Sequence, residues 1–192
     1  MVALRTLEGG FEMDANPYVI DKSRWGNGPW QDEPDVAEWT DERTGLPCVA
    51  LRTKSMGHWC GYVGVAEGHP LYNKSYDDSD IFDVHGGLTF CGSSLDDRVA
   101  PSVTGGSGGW WWLGFDCAHS SDLVPAWSIG EWGRIVRTSL MDGEYRDLAY
   151  VKRHCKNLAA QLEKLSYEES KTQKDDQGAT AEGANEKDGQ GV

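Results

Sequence analysis

The stretch Trp110-Trp111-Trp112-Leu113-Gly114-Phe115-Asp116-Cys117-Ala118-His119-Ser120-Ser121-Asp122 begins as an apolar, aromatic run and ends in a cluster of ionisable groups. The first half reads as a buried β-strand. In a strand Trp110 and Trp112 point to one face and Trp111 to the other, so neither face is cheaply left to solvent. The second half delivers Asp116, His119 and Asp122 at spacings of three. A rigid strand whose end meets solvent is a common foundation for a site, and the chemistry is expected here.

Working outward, residues 36–40, a turn over 41–45 and residues 46–52 read as a β-hairpin. Residues 59–65 give a third strand, with Tyr62, Val63 and Val65 as β-formers. Residues 67–83 form a polar loop, 85–91 a fourth strand candidate and 110–115 the fifth. The Gly-rich segment 92–109 is a long hairpin loop or a mobile lid. Upstream, Trp25 and Trp30 sit among Pro, Gly and Asp, which predicts an ordered loop pinned to the body by its tryptophans. Downstream, 143–166 is the clearest helix. Leu148, Val151, Cys155, Leu158, Leu162 and Leu165 make one apolar stripe, expected to pack on the sheet, with a homodimer seam as the alternative. The expected architecture is a single α+β domain over 14–166 with a mainly antiparallel sheet and a C-terminal helix. Residues 1–13 are an N-terminal extension, with Met13 as an alternative start, and 167–192 a disordered acidic tail.

Acidic residues outnumber basic ones 31 to 18, a net charge of −13. That balance argues against long nucleic acid and against anionic membrane surfaces, both of which select Lys and Arg. Five cysteines with no CxxC pair, and no signal-peptide pattern at the N-terminus, read as free thiols in a cytoplasm.

For the site, Asp116 or Asp122 can orient His119, which then serves as general acid or base near neutral pH. Equally, Asp116 can be an N-cap and the His–Asp pair purely structural. His85 is the second candidate. Two histidines can divide a phosphodiester cleavage between base and acid, and Gly86 and Gly87 permit close approach of a ligand or of another backbone. No cofactor is called for by any motif. A divalent metal is the alternative, since His85, Asp116, His119 and Asp122 are an N/O ligand set suited to zinc or manganese, although no HxH or HExxH run supports it. Asp77, Asp78, Asp80 and Asp83 fail the EF-hand pattern and read as a solvated loop. Most of the aromatic excess is core. Trp59, Tyr62 and Trp112 are candidates to stack on a nucleobase, with Arg52 and Arg98 to neutralise phosphate and His69 and Thr89 completing the candidate ligand-binding set.

The chain resembles a family of uncharacterised bacteriophage and bacterial proteins. The matching elements are Gly61-Tyr62-Val63-Gly64-Val65 with Gly68-His69-Pro70, Val84-His85-Gly86-Gly87-Leu88-Thr89, Trp111-Trp112-Leu113-Gly114-Phe115-Asp116 with His119, and Tyr145-Arg146-Asp147-Leu148-Ala149-Tyr150-Val151. The resemblance spans roughly residues 14–165. It implies a stand-alone cytoplasmic domain of phage genomes, draws attention to His85, Asp116 and His119, and carries no activity with it.

By analogy with phage anti-defence proteins, the expected function is cleavage of a phosphodiester in a small nucleotide or cyclic-nucleotide signal by histidine acid–base chemistry. One alternative is a sponge that sequesters such a signal intact. Another is an acidic protein–protein inhibitor or assembly factor.

Overall fold

The computed structural model describes residues 19–75, 82–95, 109–128 and 143–183. Strands β1 (Val36–Thr40), β2 (Pro47–Arg52), β3 (Trp59–Ala66), β4 (Phe90–Gly92) and β5 (Trp110–Asp116) build one sheet in the order β1-β2-β3-β5-β4. Every neighbouring pair is antiparallel, with Val36 opposite Leu51, Leu51 opposite Cys60, Val63 opposite Leu113 and Cys91 opposite Leu113. Together with one long helix, α1 (Leu148–Gly183), this is a single α+β domain.

Both faces of the sheet are covered. On one, Val151, Cys155, Leu158 and Leu162 of α1 are fully buried among Cys48, Ala50, Val63, Leu113 and Phe115. Full burial of each such aliphatic side chain stabilises by about 2 kcal/mol. The predicted stripe therefore packs against the chain's own sheet rather than forming a homodimer seam. On the other face, Ile20, Trp25 and Trp30 from the N-terminal loop cover Val49, Leu51 and Trp112. This three-layer arrangement explains why β2 reads as a continuous apolar run: alternate residues enter different cores. It also splits the tryptophan run as the strand period requires, Trp111 toward the helix side and Trp110 and Trp112 toward the loop side.

Three boundaries differ from the sequence expectation by more than one residue. The fourth strand is confined to Phe90–Gly92, because His85 is followed by Gly86 and Gly87 at φ +67° and +84°, a left-handed backbone that no strand adopts. The helix starts at Leu148, not at 143. Residue Glu144 instead makes a parallel bridge with Asp122, and Asp147 caps the helix by accepting Tyr150 N–H at 2.6 Å. At the other end the helical backbone runs on to Gly183, past the expected end at Ser166, through sequence rich in Glu, Lys, Gln and Ala. Residues 184–192, the 1–13 extension and most of the 92–109 loop lie outside the described residues.

Among the described residues no helix is long and apolar enough to cross a membrane. All five cysteines are free, and burial pushes the thiols of Cys48 and Cys60 up to about 12.

Candidate active site

β5 ends at Asp116 and the chain then turns twice. Asp122 N–H donates to the His119 carbonyl at 2.9 Å, and the His119 N–H returns to Asp122 Oδ2 at 2.9 Å. This closed loop plants a carboxylate with no solvent exposure beneath the His119 ring. His85 arrives from the glycine turn ahead of β4, and its Nε2 lies 2.7 Å from the same Oδ2. Gly86 makes this meeting possible: a Cβ there would sit 2.0 Å from His119 Cε1. The two imidazoles meet edge to face with ring centroids 5.1 Å apart.

The start of α1 and the residues just ahead of it supply the surround. Tyr150 Oη is 2.9 Å from His85 Nδ1, and the His85 backbone N–H donates to His154 Nδ1 at 3.1 Å. Arg146 Nε donates to the other carboxylate oxygen of Asp122 at 2.9 Å, while its Nη1 reaches Glu144. Arg146 and Arg153 both lie over the Tyr150 ring, at 4.7 and 5.3 Å.

The charge states follow from these contacts. Burial pushes the Asp122 carboxyl up, but the bonds from Arg146, His85 and the His119 N–H outweigh it and hold the group below the usual carboxylate range. An ionised carboxylate only accepts, so His85 carries its hydrogen on Nε2 and, when neutral, accepts the Tyr150 hydroxyl at Nδ1. Burial keeps Tyr150 protonated, and burial together with His85 lowers His154. His154 accepts at Nδ1, so its neutral form carries the hydrogen on Nε2.

His85 is thus locked at both ring nitrogens and its side chain is 9% exposed. His119 is the accessible imidazole, 33% exposed, with Nδ1 3.6 Å from Asp122 Oδ2 and no hydrogen-bond partner. The arrangement sets the His119 ring against a buried anion, and it presents nitrogen and oxygen donors to one point.

The other expected site residues fall elsewhere. Asp116 accepts the Ala118 N–H at 3.0 Å and supports the turn, outside the His85–Asp122 cluster. Arg52 is fully buried. It bonds Glu33 at 2.7 Å, the Gly57 carbonyl at 2.7 Å and the Tyr145 hydroxyl at 2.9 Å, and faces Asp35 at 3.2 Å. Trp59, also fully buried, donates to Glu33 and stacks under the Arg52 guanidinium at 4.3 Å. Trp112 is in the loop-side core. His69 ties the turn after β3 to α1, with Nε2 3.0 Å from the Leu162 carbonyl and Nδ1 accepting Leu71 N–H. Thr89 is exposed and donates its backbone N–H to Gly114. Tyr62 packs on Phe90, and both line a pocket of about 330 Å³ with Arg52, which includes none of His85, His119 or Asp122. Gly87 is beside the cluster and has open space where a side chain would be. Arg98 lies outside the described residues.

Tyr150, His154 and Arg146 are not among the site candidates that the sequence singled out. Their signal was present: Tyr150 and His154 are four apart and flank the apolar stripe of α1, so they must rim whatever the helix covers.

Fold and site define a single-domain α+β protein with a histidine–carboxylate centre at the junction of sheet and helix. No protein-family model, curated protein or solved structure matches the chain.

Proposed function

We propose that this protein is a hydrolase that cleaves a phosphodiester in a small nucleotide, with His119 as the acid–base group. The observation that carries the reading is the accessible His119 ring set against the buried, ionised Asp122. Water attacks phosphorus and gives a proton to His119 Nε2, while Nδ1–H turns to Asp122. The P–O bond to the leaving group breaks, and the imidazolium returns the proton to the departing oxygen. His85, fixed between Tyr150 and Asp122, positions the carboxylate and does not itself transfer the proton. Arg153, exposed on the same side of α1, offers a cation for the phosphoryl oxygens. The net charge of −13 favours a small ligand over a long polyanion. By analogy with phage anti-defence proteins, its target is a nucleotide defence signal in a host cytoplasm.

The test is a panel of nucleotides, including cyclic dinucleotides and ADP-ribose derivatives, separated by chromatography before and after incubation. A product peak that His119→Ala removes supports the reading; intact nucleotides throughout would overturn it. The Tyr62–Phe90 pocket favours a second reading, a sponge that stacks a base and keeps the ligand whole. In that case a nucleotide vanishes into the protein and returns unchanged on heating.

A further inference from the structure

We propose that His85 Nε2, His119 Nδ1 and Asp122 Oδ2 form a binding site for a first-row divalent cation of the zinc type. The three residues come from two separate segments, and one ligand atom from each lies within 4.8 Å of the others. Zinc held at the usual distances by two imidazoles and a carboxylate sets its ligand atoms about 3.3 Å apart. The observed separations bracket that value: 2.7 Å from His85 to Asp122 and 3.6 Å from His119 to Asp122. A shift of well under an ångström in each ring therefore opens the position.

Independent features point the same way. His119 Nδ1 is buried and has no hydrogen-bond partner, an unsatisfied ring nitrogen 3.6 Å from Asp122 Oδ2. The surround matches what a cation site needs around its ligands. Tyr150 Oη stands at His85 Nδ1, so a tautomer change to Nδ1–H, which frees Nε2 for the cation, keeps the hydrogen bond with Tyr150 as acceptor. Arg146 holds the distal oxygen of Asp122 and leaves Oδ2 to face the imidazoles. Gly86, with no Cβ, lets the His119 ring into this position. Two neutral nitrogens and one carboxylate suit zinc, cobalt, nickel or manganese rather than calcium or magnesium. Three protein ligands leave a fourth position for water or a substrate oxygen.

The site goes beyond the hydrolase reading. A cation on Nδ1 replaces the His119–Asp122 pair that the acid–base reading uses, so the metal-free protein is the form that carries that reading, and binding is read directly and not through turnover. Full-length protein freed of metal by chelator and dialysis is titrated with Co²⁺, following its visible ligand-field absorbance, and with Zn²⁺ in competition with a chromophoric chelator. The expected result is saturation at one equivalent without a thiolate charge-transfer band. His119→Ala and His85→Ala should weaken binding at least about 10-fold, and Tyr150→Phe about 10-fold. His58→Ala and Cys91→Ser, outside the cluster, should leave it unchanged. Absence of saturable binding, a thiolate band, or equal affinity in folded His119→Ala overturns the site while leaving the hydrolase reading standing. Should the alanine variants unfold, the wild type decides: Co²⁺ must shift the ring proton resonances of His85 and His119 far more than those of His69, which is tied to the Leu162 carbonyl.

Discussion

His85 Nε2 and Asp122 Oδ2 lie 2.7 Å apart although 37 residues separate them in the chain. The contact joins the glycine turn ahead of β4 to the turns that follow β5, and α1 closes over it with Tyr150 and His154, with Arg146 just ahead of the helix. Removal of any one group in this chain of contacts should be felt by the others.

His119, 33% exposed against 9% for His85, is the more accessible of the two imidazoles on Asp122. His119→Ala is expected to lower phosphodiesterase turnover by about 100-fold or more, the range lost with a general acid–base group, while thermal stability changes little. Chromatographic product formation and a melting curve on the same sample check both halves. Turnover within a few-fold of wild type removes His119 from the chemistry.

Gly86→Ala probes the packing without touching an ionisable group. The new Cβ meets the His119 ring at 2.0 Å and the backbone is at φ +67°, so both strain and displacement act. A loss of about 1–3 kcal/mol is expected, together with loss of activity. Gly87→Ala, at φ +84° with open space, carries only the backbone cost of about 1 kcal/mol. Urea denaturation of the two variants side by side should show Gly86→Ala as the more damaging; equal losses would mean that the His119 ring simply moves aside.

Arg52→Met separates a structural from a ligand-binding role. It removes the buried cation shared by Glu33 and Asp35 and leaves Asp35 only the Lys22 cation, and a loss of about 3–5 kcal/mol is expected. Were Arg52 instead a phosphate contact, the variant would bind nucleotide more weakly and unfold at the same urea concentration as wild type.

Glu33 predicts an acid limit on stability. Burial raises its carboxyl, but bonds from Tyr145, the Leu148 N–H, Trp59 and Arg52 overcome this and hold it below its ordinary 4.5. A group depressed in the folded state stabilises fully above its unfolded pKa, and that contribution fades as pH falls through the folded value. The unfolding free energy of wild type should therefore drop between about pH 5 and pH 2, and Glu33→Gln should show a shallower drop from a lower plateau. Parallel curves for the two proteins would count against Glu33 as the linked group.

Much of the fold was legible because strand and helix periods are local. The 41–45 turn, the opposed faces of Trp110–Trp112 and the stripe from Val151 to Leu162 depend only on which residues recur at two or at three and four. The misread fourth strand had its warning in Gly86-Gly87. Arg52 had one too: it shares the parity of Cys48 and Ala50 in β2, which turn to the buried helix side, with Glu33 and Asp35 not far upstream to neutralise it. The site was half legible. The sequence pointed to His85, His119 and Asp122 by residue type and position at segment ends. It set Asp116 beside them with equal force, although backbone geometry turns that carboxylate back onto Ala118.

The amino-acid pattern by itself determined the elements, their buried faces and the α+β class, since these are properties of neighbours in the chain. Only the tertiary structure decided that β4 pairs on the outer side of β5, that the start of α1 returns beside the glycine turn, and that His85, His119 and Asp122 converge with Tyr150 and His154 around them. Convergence depends on strand order and on the path of connections. Those are fixed by the summed burial of two cores on opposite faces of the sheet, not by any local run of residues.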